Sequence, residues 1–422
     1  LKKVAIIGSG FSSLSAACYL AKEGYEVSIF EQNHTIGGRA RQLQRDGFTF
    51  DMGPTFYWMP DVVERFFADF NSSPDNYFRL QRLDPGYQVY FKDGDSIRIA
   101  SDIKKITQLF DKYEPGSGTF LQNFLKTAAF NYHVAMDKVV YKPGLSPFEL
   151  ITPQTATRVN QFVSSLSRRI HKNIREPKLQ QILEFPVLFL GAKPSDIPAF
   201  YCFMNYADMI LGTWHIRGGM YKLVEAMQKL AQSLGVTIHT GSPVQQIVVE
   251  NKKAAGLIIK DNFHPTNLVI SGADYHHTES LLNKKWRNYS GDYWNKRVLA
   301  PAALLYYVGF NKKLKNLSHH TLFFDADFHK HAFRIYDDPQ WPEKPLFYAS
   351  FPTITDQSLA PEGKEAGVFL IPVAPGLPDT ADIREKYFGQ LVTRLEKLTG
   401  QPVREDILFY ESFGIRDFIK DY

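Results

Sequence analysis

Val4-Ala5-Ile6-Ile7-Gly8-Ser9-Gly10-Phe11-Ser12-Ser13 stands near the start of the chain and points to one kind of fold. Four apolar residues in a row predict a short buried strand, and the two glycines that follow end it in a turn. Beyond the turn, Leu14, Ala17, Cys18 and Ala21 recur at helical spacing, and Gly24 stands where a left-handed cap is expected. A second buried run, Val27-Ser28-Ile29-Phe30, follows. The order strand, glycine turn, helix, strand is a phosphate-binding unit. Gly8 makes the tight turn, Gly10 lets a diphosphate approach the backbone, and the helix N-terminus beyond them offers unpaired N–H groups and a positive dipole end. The usual third glycine of this pattern is Ser13, still small enough to keep helix and strand close. Glu31, followed by Gln32, ends the second strand about 20 residues on, where a carboxylate accepts from ribose hydroxyls and repels a 2′-phosphate.

Gly37-Gly38-Arg39-Ala40 comes next, and Asp51-Met52-Gly53-Pro54-Thr55 follows a further strand at Phe48-Thr49-Phe50. Adjacent glycines permit close backbone approach, and the fixed fork of Arg39 suits a phosphate or carboxylate. Alternation about Asp93-Gly94 predicts a hairpin from Tyr87 to Ile99. A mainly helical region is expected from about Ser101 to Leu211, including the apolar run Phe185-Pro186-Val187-Leu188-Phe189-Leu190, read as core before a lipid-facing surface. A second dinucleotide-fold section opens at Gly218-Gly219 with a helix carrying Leu223, Ala226, Met227, Leu230, Ala231 and Leu234 on one face. Strands are then predicted at Val236 to His239, Val244 to Val249, Ala255 to Ile259 and Leu268 to Ile270, ending in Ser271-Gly272-Ala273-Asp274.

The chain has 422 residues, long enough for two intertwined domains. Its net charge of +5 is spread out, with no basic block, which argues against nucleic acid as a partner. Two distant cysteines, Cys18 and Cys202, make no disulfide framework and fit a reducing cytoplasm. No run of 18 apolar residues exists to cross a bilayer. The 33 Phe and 22 Tyr either fill cores or line an apolar tunnel. The pairs His276-His277 and His319-His320 lack metal-ligand spacing and are read as surface or capping residues, so no metal is expected. Asp208, Arg158 and His215 carry protonic chemistry in principle but are read as structural. The start at Leu1 rather than Met suggests that the sequence is not the whole gene product.

The run from Val4 to Pro60, with Gly8, Gly10, Glu31, Gly37-Gly38-Arg39, Asp51, Gly53, Pro54, Thr55 and Pro60, resembles the N-terminal signature of the flavin amine oxidase and phytoene desaturase superfamily. Asp84-Pro85-Gly86-Tyr87, Phe91 and Asp93-Gly94 resemble the carotenoid desaturases in particular, as do Gly212 to Met220, Val244-Gln245-Gln246-Ile247, Ser271 to Asp274 and Ser412 to Phe418. The resemblance spans essentially the whole chain.

It implies an α/β fold of the two-dinucleotide-binding-domain type, like that of glutathione reductase and p-hydroxybenzoate hydroxylase. The FAD domain would comprise 1–83 and 216–284, and a discontinuous α+β substrate domain 84–215 and 285–422, the former mainly helical and touching a membrane. The implied cofactor is FAD, not NAD, held by Gly8, Ser9, Gly10, Phe11, Ser12, Glu31, Gln32, Gly38, Arg39, Gly53, Pro54, Thr55, Val244 and Asp274, with the backbone at Val244 against the adenine. Family members continue past the point matching Tyr422 into a glycine- and proline-containing FAD motif, so the C-terminal part of that domain is expected to be missing. The implied reaction is desaturation of an apolar carotenoid or other polyene, hydride passing to flavin N5 as a neighbouring proton leaves; no catalytic acid or base is assigned. A flavin amine oxidase, a polyene isomerase or saturase, and a non-enzymatic protein like the GDP-dissociation inhibitors stand as alternatives. The remaining expectations are a cytoplasmic protein attached peripherally to the inner face of a membrane, and oxygen or a quinone as electron acceptor.

Overall fold

The phosphate turn lies between a strand, Lys3–Ile7, and a helix, Phe11–Lys22, that buries Ser13, Leu14, Ala17 and Cys18. These coordinates are a computed structural model that describes residues 2–143, 145, 146, 149, 153–156, 158 and 160–422. Lys3–Ile7 is central in a parallel sheet of order Leu268–Ser271, Lys3–Ile7, Glu26–Phe30, Thr237–His239. Ile6 is level with Ile29 on one side and Ile270 on the other. Strands so flanked are buried on both faces, which is why they read as apolar runs. The helix Tyr221–Ser233 turns Leu223, Ala226, Met227, Leu230 and Ala231 into the same core as Leu14 and Cys18. An antiparallel sheet of Val244–Glu250, Lys253–Ile259 and Asn262–Pro265 sits beside it. Its last strand is exposed along its whole length and carries no apolar alternation, so periodicity does not reveal it.

The second large sheet has seven strands, in the order Ile407–Phe413, Ala302–Phe310, Glu365–Val373, Phe347–Ser350, His320–Phe324, Tyr87–Phe91, Ser96–Ile99. Its hairpin Tyr87–Phe91/Ser96–Ile99 joins parallel to His320–Phe324, so the first quarter of the chain is stitched to the last. Because side chains alternate across a strand, Leu322 and Phe324 face the helical layer while Phe323 faces the opposite side. The helical layer includes Ile103–Tyr113, Ser117–Val134 and Pro177–Glu184. On the other face the helix Ala381–Thr399 packs on Tyr306, Phe323, Phe347 and Phe369.

The apolar run Phe185–Leu190 forms one short 3₁₀ segment and divides between the two readings offered for it. Phe185, Pro186 and Val187 are buried, whereas Phe189 is 53% and Leu190 42% exposed. Both cysteines are buried and unpaired. Among the described residues no helix is long and apolar enough to cross a membrane.

Candidate cofactor and substrate site

The residues of the phosphate turn line a cleft of about 530 Å³ at the C-terminal edge of the parallel sheet. The helix Phe11–Lys22 has Gly10 at its N-cap, with no capping side chain and no acidic residue in its first turn. Its N-terminal N–H groups are therefore left for an anion, and the dipole adds to the attraction. Gly8, Ser9, Gly10, Phe11, Ser12, Glu31, Gln32, Gly38, Arg39, Pro54, Val244 and Asp274 all line this cleft. Gly53 and Thr55 do not. Asp274 also has a local duty, since its carboxylate accepts from the His276 N–H at 2.9 Å and caps the helix Tyr275–Ser280.

Glu31 is buried, and its carboxylate accepts from the Ser9 N–H (3.0 Å), the Ser9 hydroxyl (2.6 Å), the Asn33 N–H (2.8 Å) and the Asn33 amide (3.0 Å). These four bonds fill the acceptor positions of a carboxylate. A ribose hydroxyl would have to replace Ser9 Oγ or Asn33 Nδ2, the two partners on rotatable side chains, to reach Glu31. Arg39 makes no ion pair among the described residues, and its guanidinium lies 5.0 Å from the centre of the Tyr422 ring. The Tyr422 hydroxyl donates to the Gly38 carbonyl at 3.0 Å, Gln32 Nε2 donates to the Asp421 carbonyl at 2.9 Å, and Arg41 pairs with the Asp421 carboxylate.

Two glycines set the shape of the cleft from behind. The hairpin Gln42–Arg45/Phe48–Asp51 brings the chain back so closely that a Cβ on Gly53 would lie 1.9 Å from the Arg39 carbonyl oxygen. Gly53 thus holds the Gly38-Arg39 segment in place without facing the ligand. A Cβ on Gly272 would meet Ser13 Oγ at 2.1 Å, so the side chain standing where the pattern has a third glycine occupies space left by Gly272.

Behind the cleft lies a polar network that sequence reasoning missed. Thr55 Oγ1 bonds the Tyr348 hydroxyl at 2.7 Å, and that hydroxyl bonds His320 Nδ1 at 2.7 Å. The His319 and His320 rings are 4.5 Å apart, and His215 is 4.7 Å from His319. His215 Nε2 lies 3.4 Å from the Asp356 carboxylate. His319 and His320 are 4% and 0% exposed, which corrects their reading as surface or capping residues. The strand His320–Phe324, which His319 immediately precedes, is interior to the seven-stranded sheet, a fact of register that no local spacing signals. His276 and His277 are exposed, as expected.

Burial holds His319 and His320 well below the usual imidazole range and His215 below it despite Asp356, so the rings are neutral near pH 7. Burial pushes the Asp51 carboxyl up to about 6 against the Met220 and Tyr221 N–H groups that it accepts from at 2.7 and 3.2 Å. Asp51, Thr55, His215, His319 and Ser350 share a cavity of about 10 Å³, room for about one water molecule. Asp208 is buried and pushed up to about 7, although Tyr87 donates to it at 3.0 Å and Thr213 lies at 3.4 Å. Arg158 stacks over the Phe130 ring at 4.4 Å.

An aromatic wall adjoins this network. Phe56 stacks on His320 at 3.9 Å and packs against Trp58 (5.3 Å), Phe185 (5.7 Å), Phe189 (5.4 Å) and Tyr348 (5.3 Å). The wall runs from half-exposed Phe189 inward to buried His320. In the front cleft, the uncapped helix, Glu31 and the close-packed glycines fit the adenosine diphosphate half of FAD; Thr55 links that cleft to the wall.

The family model for flavin containing amine oxidoreductases matches residues 11–291. A carotenoid 3,4-desaturase from Haloarcula japonica is 39% identical over 99% of this chain and 86% of its own length. A zeta-carotene-forming phytoene desaturase from Myxococcus xanthus is 30% identical over 92% of this chain and 77% of its own. The crystal structure of an oxidoreductase from Methanosarcina mazei superposes with a TM-score of 0.65 at 20% identity, covering 98% of this chain and 88% of that one. A glycine turn at an uncapped helix N-terminus with a buried carboxylate beside it, an apolar aromatic wall behind it and these relatives agree: the chain is a flavin-dependent oxidoreductase that belongs to the flavin containing amine oxidoreductase family and, within it, to the carotenoid desaturases.

Proposed function

We propose that the protein introduces a carbon–carbon double bond into a carotenoid, with FAD in the cleft at Gly8–Ser12. The observation that carries this reading is the adjacency of the diphosphate cradle, through Thr55 and Tyr348, to an aromatic wall that reaches the surface at Phe189. When bound, FAD supplies a two-electron acceptor for hydride. The chain's own tasks are to bind its diphosphate at the helix N-terminus, to lay an apolar chain along Phe56, Trp58 and Phe185, and to keep water away. The name of the Haloarcula relative makes the 3,4 bond of a carotenoid the first substrate position to test. The test is anaerobic mixing of flavin-loaded protein with that polyene: a red-shifted product together with flavin bleaching supports the reading, and bleaching by amines alone overturns it. Adding oxygen or a quinone to the bleached protein identifies the reoxidant.

We further propose peripheral attachment of a cytoplasmic protein to the inner face of a membrane, where such a substrate resides. Phe189 and Leu190 are exposed, and Gly191 abuts Ala300 and Pro301, next to Val298 and Leu299 at 98% and 67% exposure. Lys296 and Arg297 flank these residues. Apolar side chains bordered by cations suit an anionic headgroup layer. Flotation with anionic liposomes, abolished by Phe189→Asp with Leu299→Asp, is the expected result; a wild-type protein that stays at the bottom of the gradient counts against attachment.

A further inference from the structure

We propose that His320 Nε2 is the base that takes the proton leaving the substrate as the new double bond forms, an inference that rests on the desaturation proposed above. Among the described residues a few buried side-chain polar atoms have no partner, and of these His320 Nε2 is the one set in the aromatic wall. Leaving a buried polar atom unpaired is costly, so its retention calls for a role. The ring is fixed for one. Its face is pinned by Phe56 at 3.9 Å and its Nδ1 by the Tyr348 hydroxyl at 2.7 Å, so the second nitrogen has neither partner nor freedom to turn. As the first residue of the strand His320–Phe324, it shares a face with Leu322 and Phe324, which look into the core between sheet and helices.

The other buried groups nearby are engaged. Burial raises the Tyr348 phenol, which keeps its proton; Asp51 accepts from two N–H groups, His319 Nδ1 bonds the Thr355 hydroxyl, and His215 faces Asp356.

The step balances as follows. One substrate carbon gives up hydride, with both electrons, to the flavin. On the neighbouring carbon the C–H bond breaks, its electron pair becomes the new π bond, and its proton forms an N–H bond at Nε2. In one concerted relay the Nδ1 proton moves to Tyr348, the Tyr348 proton to Thr55 and the Thr55 proton to the Asp51 carboxylate across the small cavity they share, so that Tyr348 and Thr55 each end with one proton. A C–H bond beside an electron-deficient carbon is strongly acidic, so a ring kept neutral by its surroundings is base enough.

The proposal requires a specific tautomer: hydrogen on Nδ1, donated to Tyr348, and a bare lone pair on Nε2. Nitrogen-15 spectra of the flavin-free chain labelled at histidine, assigned by comparison with His320→Gln, read this directly; hydrogen on Nε2 overturns the assignment. In flavin-loaded protein, His320→Gln should slow single-turnover desaturation by about 100-fold, with polyene affinity, followed by Trp fluorescence, within about twofold of wild type. Equal rates in His320→Gln and wild type overturn the base while leaving desaturation standing. A wild-type protein that binds flavin and leaves every polyene unchanged overturns the proposed function itself.

Discussion

The front cleft and the buried network behind it are built on opposite principles. In front, the diphosphate is offered backbone groups, the N–H groups of an uncapped helix ordered by glycines within a few residues of one another, with the side chains of Glu31 and Arg39 beside them. Behind, the groups are side chains drawn from far apart in the chain: Thr55, His215, His320, Tyr348 and Asp356 meet only in the tertiary fold, where the seven-stranded sheet sets the strands of His320 and Tyr348 side by side. A backbone site is set by local conformation and tolerates side-chain change while its glycines survive. A side-chain site depends on register, and it gains a low-dielectric setting in which protonation states are shifted. The first suits holding a cofactor common to many enzymes, and the second suits chemistry particular to one.

Substitutions separate the two regions. Gly53→Ala should have the largest effect, about 3 kcal/mol or more, because its Cβ would meet the Arg39 carbonyl at 1.9 Å; urea unfolding of the flavin-free protein measures it. Full stability in that variant would mean that the cleft does not depend on this crossing.

Asp208→Asn probes the back. Asp208 is pushed up to about 7 in the folded state, so folding takes up a proton between the ordinary carboxylate range and that value. Its share of stability is present in acid and lost as pH rises through about 7. Relative to wild type, Asp208→Asn should therefore gain about 2 kcal/mol between pH 5 and pH 7. Parallel stability curves for the two proteins would show the carboxyl to be solvated.

Glu31→Gln returns to the front. An amide accepts on one side only, so two of the Ser9 and Asn33 donors lose their acceptor, at about 1–2 kcal/mol with roughly tenfold weaker flavin binding by fluorescence titration. The smallest effect concerns the altered third glycine. Gly272→Ala should cost about 1 kcal/mol alone and close to nothing in a Ser13→Gly background, since the clash is with Ser13 Oγ. Additive losses would break that coupling.

Legibility followed the same division. The strand, turn and helix at Val4–Lys22 and the carboxylate at Glu31 were readable because their function is local, and the family resemblance extended the reading to Val244 and Asp274, which also line the cleft. Gly53 and Thr55 stand behind the cleft, one spacing the backbone and one joining the network, a distinction that a motif does not carry. The pair His319-His320 reads as surface because adjacent histidines lack metal-ligand spacing, and its burial emerges only when the strand that follows is placed inside a sheet. The run Phe185–Leu190 could not be divided into buried and exposed halves until the helical layer covered one of them.

The order of residues alone, then, specified a dinucleotide cradle with a carboxylate at the end of its second strand and a protein interior rich in aromatic rings. Which polar groups stand against those rings emerged from the folded chain, because strand register, not sequence spacing, sets which side chains share a face and which nitrogen is left without a partner.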